Sequence, residues 1–360
     1  MAAAMALPLA EPLHAETAPE RSLVGLKYLD YLDSQPGDTR IRVRSPALMA
    51  LVPISSEWSV GGTLTSDVIS GASPAYHTSA LQKMHDHRRA GEADVTRYFP
   101  NGTLTIGAYV STEADYLSRG LSVQATRSSE DKNTTWAAGL GLNRDAINPV
   151  NHIVEHETKR VANLLVGVTQ VLTARDIVQL NLSQSIGRGY YSDPYKVYDE
   201  RPRDRNSTTM LARWNHYVEA LQSTARFSYR YYSDSWHIKA HTMGVEYVQP
   251  LPHDWTVTPL VRLYTQSAAI FYVDADASTY PFPPNPPAGA VYYSEDQRVS
   301  AFGARTFGIK VAKQLDADWL VDVKVERYAQ RAGWRLFGSG SPGLAPFNAR
   351  SIQVGLSRQF

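Results

Sequence analysis

The last ten residues, Ser351-Ile352-Gln353-Val354-Gly355-Leu356-Ser357-Arg358-Gln359-Phe360, alternate in character to the final position and end on an aromatic ring. On an extended strand Ile352, Val354, Leu356 and Phe360 share one face, while Gln353, Ser357 and Gln359 share the other. An apolar row backed by a polar row suits a wall with hydrocarbon on one side and water on the other, as in the closing strand of an outer-membrane β-barrel. Arg358 interrupts the apolar row, and near a membrane boundary its guanidinium reaches the headgroups. This segment predicts membrane, compartment and architecture together and leaves any chemistry open.

The alternation recurs along the chain. Arg40-Ile41-Arg42-Val43-Arg44 separates two β-branched residues from three arginines, a division that no helix would keep. Similar stripes include Trp58/Val60/Leu64/Val68, Leu104/Ile106/Ala108/Val110, Trp136/Ala138/Leu140/Leu142, Phe227/Tyr229/Tyr231 and Trp319/Val321/Val323/Val325. With weaker segments near Leu26 and from Asp94 to Phe99, the count is about sixteen strands, within about 14 to 18, and even as a single-chain bacterial barrel requires. No run of about 18 apolar residues occurs, and the mean hydropathy of -0.32 is what short alternating spans produce. The absence of cysteine suits passage through an oxidising periplasm. A net charge of +1 gives no field that would recruit nucleic acid.

The links between strands favour a barrel over a soluble sandwich. Every second link is short: Pro53 to Glu57, Pro100 to Gly102, Glu130 to Asn133, Thr173 to Arg175, Glu219 to Leu221, Leu251 to Asp254 and Leu315 to Asp318. The intervening links include long ones, Gly71 to Gly91, Asp145 to Glu157, Gly189 to Asn206, Tyr272 to Asp296 and Gly333 to Asn348. Sorting by length onto one side matches periplasmic turns and extracellular loops. Aromatics gather where long loops begin, at Tyr190, Tyr191, Tyr195, Tyr231, Tyr232, Trp236, Phe271, Tyr272, Tyr292 and Tyr293, as an outer interfacial girdle requires. Trp58, Trp255 and Trp319 follow short turns and supply an inner girdle. The small, apolar start and Leu13-His14-Ala15 resemble the end of an export signal, with a disordered leader as the alternative, so residues 1–21 are expected outside a barrel of residues 22–360.

Parity assigns Arg40, Arg42, Arg44, Asp67, Arg213, Arg226, Arg230, Glu246, Arg262, Asp322, Lys324 and Glu326 to the lumen. They set the selectivity of a polar pore, or they are ion pairs that solvate a barrel interior. Three cations on one strand face, Arg40, Arg42 and Arg44, call for something anionic opposite. The segment with Arg188, Tyr190, Tyr191, Asp193, Tyr195 and Lys196 is either a loop that folds inward as a constriction or ligand contact, or a surface loop. His77, His85, Asp86 and His87 are the only concentration of metal-type ligands, suited to Zn, Cu or Ni; the two-residue spacing and the neighbouring Arg88 and Arg89 favour a solvated polar loop instead. There is no Gly-x-Ser-x-Gly elbow, Walker loop, haem motif or EF-hand, so no catalytic residue and no cofactor is assigned.

The segments Lys27 to Tyr31, Asp33 to Gly37, Arg40 to Pro46, Ser70 to Pro74, Arg88 to Gly91, Asn133 to Trp136, Gly187 to Lys196 and Ser228 to His241 resemble an uncharacterised Gram-negative family of outer-membrane barrels, domain of unknown function 3570. The resemblance runs from Lys27 to nearly the end. It implies a multi-pass protein of the outer membrane and carries no substrate or catalytic residue with it. The expectation is an all-β, closed antiparallel transmembrane barrel acting as a polar channel or partner-occupied conduit. The alternatives are a surface enzyme or metal-binding receptor built on the loops, and a structural anchor for a periplasmic or surface protein. Outer-membrane lipid is the one partner common to all three.

Overall fold

The computed structural model describes residues 17–36, 38–72, 83–196, 198–274 and 286–360. The strands in chain order are β1 (Leu23–Gln35), β2 (Asp38–Ser55), β3 (Trp58–Ala72), β4 (Lys83–Phe99), β5 (Gly102–Thr112), β6 (Tyr116–Ser128), β7 (Thr134–Ile147), β8 (Glu157–Thr173) and β9 (Asp176–Gly189). They continue with β10 (Asp199–Glu200), β11 (Asp204–Val218), β12 (Ser223–Asp234), β13 (Lys239–Leu251), β14 (Trp255–Gln266), β15 (Tyr293–Ser294), β16 (Phe302–Gln314), β17 (Trp319–Arg331) and β18 (Phe347–Gln359). Sixteen of these close into one antiparallel barrel, and β10 pairs with β15 as a separate ribbon. Closure comes from β1 pairing with β18, from Leu23↔Gln359 to Ser34↔Asn348. Ser22 and Phe360 exchange backbone hydrogen bonds of 2.9 and 3.0 Å at the end of that seam. A closed wall leaves no strand edge unpaired in hydrocarbon, where each orphan amide costs several kcal/mol.

Alternation in the sequence becomes two faces of one wall. Leu64, Ile106, Leu121, Leu142, Leu164 and Leu182 point outward, each more than half exposed. So much contiguous apolar surface belongs against lipid. All seven short links are turns at one end of the barrel, the end at which β1 starts and β18 finishes. There Arg97 lies over Trp58, Lys313 over Trp255 and Arg358 over both Trp319 and Phe360, so the expected girdle forms and is capped by cations. The other end carries the long links.

Two expectations change at that loop end. The segment Met84 to Arg89 is part of β4, paired with β3 from Trp58↔Arg97 to Ala72↔Lys83, and is not a loop. Most of the loop-end aromatics also turn away from lipid. Trp236, Ile238, Ala269, Phe271 and Val299 form a buried cluster with Tyr191, Tyr232 and Tyr272 packed against it. An indole that finds apolar partners among folded loops gains more from full burial than from an interface.

Candidate functional site

The interior of the wall is polar. Ten of the twelve residues assigned to the lumen stand on the inner face: Arg40, Asp67, Arg213, Arg226, Arg230, Glu246, Arg262, Asp322, Lys324 and Glu326. Arg42 and Arg44 do not. They share the outer face with Leu48 and Val52, and both reach Asp30 on β1, Arg42 Nη2 at 2.5 Å and Arg44 Nε at 3.7 Å. Both continue the row of Leu48 and Val52 without interruption; a bulge beyond them, where the β1–β2 register shifts between Leu32 and Ser34, turns Arg40 to the opposite face although it is two residues from Arg42. Arg40 is buried inside, 4.0 Å from Asp33 and over the Phe347 ring at 5.2 Å.

Within the lumen the ion pairs range from loose and exposed to partly buried. Arg226 and Glu246 are 3.9 Å apart, with side chains 52% and 42% exposed. Arg262 is 3.8 Å from Glu326 and 46% exposed. Lys310 pairs with Asp322 at 3.5 Å and Lys324 with Glu326 at 3.2 Å. Asp67, in contrast, is buried in a close pair with Arg88. The sequence reading missed two acids, Glu92 and Asp94, on the inner face of β4, although Val95, Arg97 and Phe99 set the opposite parity. Asp94 stands between Gly61 and Gly107, which leave space beside its carboxylate. In the ring of sixteen strands β4 lies across from β12 and β13, so Glu92 and Asp94 oppose the wall that carries Arg213, Arg226, Arg230 and Arg262. Glu246 stands on that same wall beside Arg226, so the wall is cationic only in excess.

A packed layer of loops covers the loop end. The link between β9 and β11 folds inward where Gly187 leaves room: a Cβ there would lie 2.0 Å from the Tyr191 hydroxyl. Tyr191 meets Trp236 edge-on at 5.4 Å, Trp236 meets Phe271 at 5.2 Å, and the Trp236 indole N–H donates to the Asp204 carbonyl at 3.0 Å. Arg201 donates to Asp199 at 2.6 Å and to Asp296 at 2.8 Å, joining this link to the long β14–β16 link. Arg298 binds Asp296 and reaches Asp193 at 2.8 Å. Burial alone would raise the Asp296 carboxyl, yet Arg298, Lys196 and Arg201 hold it well below the usual range. Tyr195 donates to Asp115 at 2.9 Å, tying the layer to the β5–β6 link. Leu344 from the last link packs on Phe302 and Ala304, with Tyr264 and Tyr328 beside them.

Of the constriction candidates, Tyr191, Asp193, Tyr195 and Lys196 thus belong to the inward layer. Tyr190 is half-buried beneath the Arg203 guanidinium, 5.9 Å from its ring, and Arg188 stands on the outer face. Of the histidine set, His77 and the side chain of His85 lie outside the described residues, and Asp86 and His87 fall on opposite faces of β4. Asp86 instead meets Glu113 and Asp115, with ligand oxygens within 4.8 Å of one another.

Solved structures are similar to this chain at low identity, and the first shares its fold. The "Bacterial polysaccharide outer membrane secretin" is 9% identical, with a TM-score of 0.54 over 94% of this chain and 98% of that one. Pseudomonas aeruginosa OccK11 (OpdR) is 9% identical with a TM-score of 0.47, covering 94% of this chain and 96% of its own. A Pseudomonas aeruginosa FadL homologue is 9% identical with a TM-score of 0.43, covering 94% of this chain and 89% of its own. No curated protein matches the chain. Residues 76–155 and 151–351, well over half of the sequence, match the family described as "Protein of unknown function (DUF3570)", and the chain belongs to that family.

Proposed function

We propose that the protein is an outer-membrane conduit for small hydrophilic solutes, with the loop layer as its constriction. The observation that carries this reading is the half-exposed state of Arg226, Glu246 and Arg262 inside a wall whose outer face is apolar. Charges at membrane depth are tolerated only where water reaches them, so the lumen beside these residues is a water path. The likeness in fold to an outer-membrane barrel supports the same membrane for this chain. The turn end then faces the periplasm and the loop layer faces outward, where it meets solutes first.

Conductance of the purified protein in planar bilayers tests the reading. Stepwise currents are expected, and Arg262→Glu should shift ion selectivity toward cations several-fold. A bilayer that stays silent at all voltages, with the loop layer intact or cleaved, contradicts a conduit.

A further inference from the structure

At the loop end the outer wall carries arginine where the turn end carries tryptophan. Arg119 on β6, Arg144 on β7, Arg160 on β8 and Arg188 on β9 are each directly opposed to the next, as Arg119↔Arg144, Arg144↔Arg160 and Arg160↔Arg188. All four are exposed. The neighbouring row on the same face is Leu121, Leu142, Ala162 and Ile186, the start of the apolar band. Directly opposed residues have Cβ atoms about 5 Å apart, a spacing at which like charges destabilise a sheet.

On the outer face this row is bounded by Val110 on β5 and Asp204 on β11, so a single carboxylate stands in register with four cations. Arginines nearby are treated differently. Arg42 and Arg44 share Asp30, Arg203 holds Glu157 and Arg205 holds Asp234, whereas among the described residues the four of the row enter no ion pair. Tyr191, Trp236 and Phe271 are committed to the inward loop cluster and do not cap them as Trp58 and Trp319 cap cations at the turn end.

The depth of the row fits a headgroup. Along β7, Trp136 to Arg144 is about 27 Å of strand at ~3.4 Å per residue. A tilt near 40° converts that to about 21 Å of depth, which sets the arginines at the far boundary of a band about 25 Å tall. Three strand spacings make the row about 14 Å long, enough to span two phosphates of one headgroup. Arginine forks match phosphate oxygens in pairs, which lysine does not.

We propose that Arg119, Arg144, Arg160 and Arg188 bind the phosphates of a multiply phosphorylated lipid in the leaflet at the loop end. Which leaflet supplies that lipid rests on the orientation given above; the binding itself rests on the wall alone. The phosphates supply the counter-charge that the row lacks, while the acyl chains lie on Leu121, Leu142 and Ile186 beneath them.

Purified barrel in detergent is titrated with bis-phosphorylated lipid A, with the same lipid stripped of its phosphates, and with inorganic phosphate, the complexes being counted by native mass spectrometry. At least tenfold tighter binding of the phosphorylated lipid is expected, with at least a tenfold loss in R144Q/R160Q and none in the turn-end control R97Q/R127Q, in which Arg97 stands opposite Trp58 and Arg127 on β6 opposite Trp136. Heat-modifiable gel migration reports whether each variant folds; should R144Q/R160Q fail, R160Q alone is expected to lose several-fold. Equal affinity for the two lipids, or full binding by a folded variant, overturns the proposal. Complete displacement of the lipid by millimolar inorganic phosphate assigns the row to a free anion and overturns it too. A silent bilayer would sink the conduit reading and leave this result standing.

Discussion

Glu295 is 2% exposed, and neither of its carboxylate oxygens has a hydrogen-bond partner among the described residues. Burial pushes its carboxyl up to about 7; Lys196 pulls the other way, and Asp199 and Asp296 add to the rise. Below pH about 4.5 the group is protonated whether the loop layer is packed or open. Between that value and about 7 the packed form holds the proton more tightly, so packing weakens as pH rises, and the loss is complete above about 7. Asp296 does not titrate in this window, because its cationic neighbours keep it ionised. Hydrogen exchange in residues 190–196 and 286–301, corrected for the intrinsic rate, should therefore be faster at pH 8 than at pH 5, and Glu295→Gln should remove the difference. Identical exchange at both pH values would show that Glu295 does not hold the layer. None of this was legible in sequence, since the environment of Glu295 comes from two links about a hundred positions apart. Arg42 and Arg44 differ from the expectation for another reason: they continue the outward row of Leu48 and Val52, and the β-branched Ile41 and Val43 mimic an outward pair, while the bulge near Ser34 turns only Arg40 inward.

At the scale of strands, the two faces differ in what they tolerate. Leu164 on β8 lies opposite Leu140 in the middle of the apolar band, while Asn163, its neighbour, points into the lumen opposite Gly141. Leu164→Lys should destabilise the folded barrel by about 2–4 kcal/mol, whereas Asn163→Lys should cost under about 1 kcal/mol. Urea unfolding in lipid vesicles measures both, and equal losses would deny the assignment of faces. The strands were readable because the wall repeats one physical demand at every second residue, and the short turns because tight reversals leave little room for variation. The start of β4 escaped because His85 to Arg89 is polar at every position, so no apolar stripe marks it. The destination of Tyr191, Trp236 and Phe271 escaped because an interfacial aromatic and a loop-core aromatic look alike until the loops meet.

For the whole molecule, closure through β1 and β18 makes the wall a single unit with an apolar outside and a polar inside. The loop layer and the arginine row are both secondary to that division. A chain without cysteine allows it to be read directly by single substitutions along β17. Cysteines placed at Val323, Lys324, Val325 and Glu326 in the reconstituted protein are labelled with a membrane-impermeant maleimide and with a lipid-phase fluorophore. The structure predicts strict alternation: positions 324 and 326 react from water, and positions 323 and 325 report hydrocarbon. Water-phase reaction at all four, or a lipid signal at 324 and 326, would contradict a barrel wall with its polar face inward.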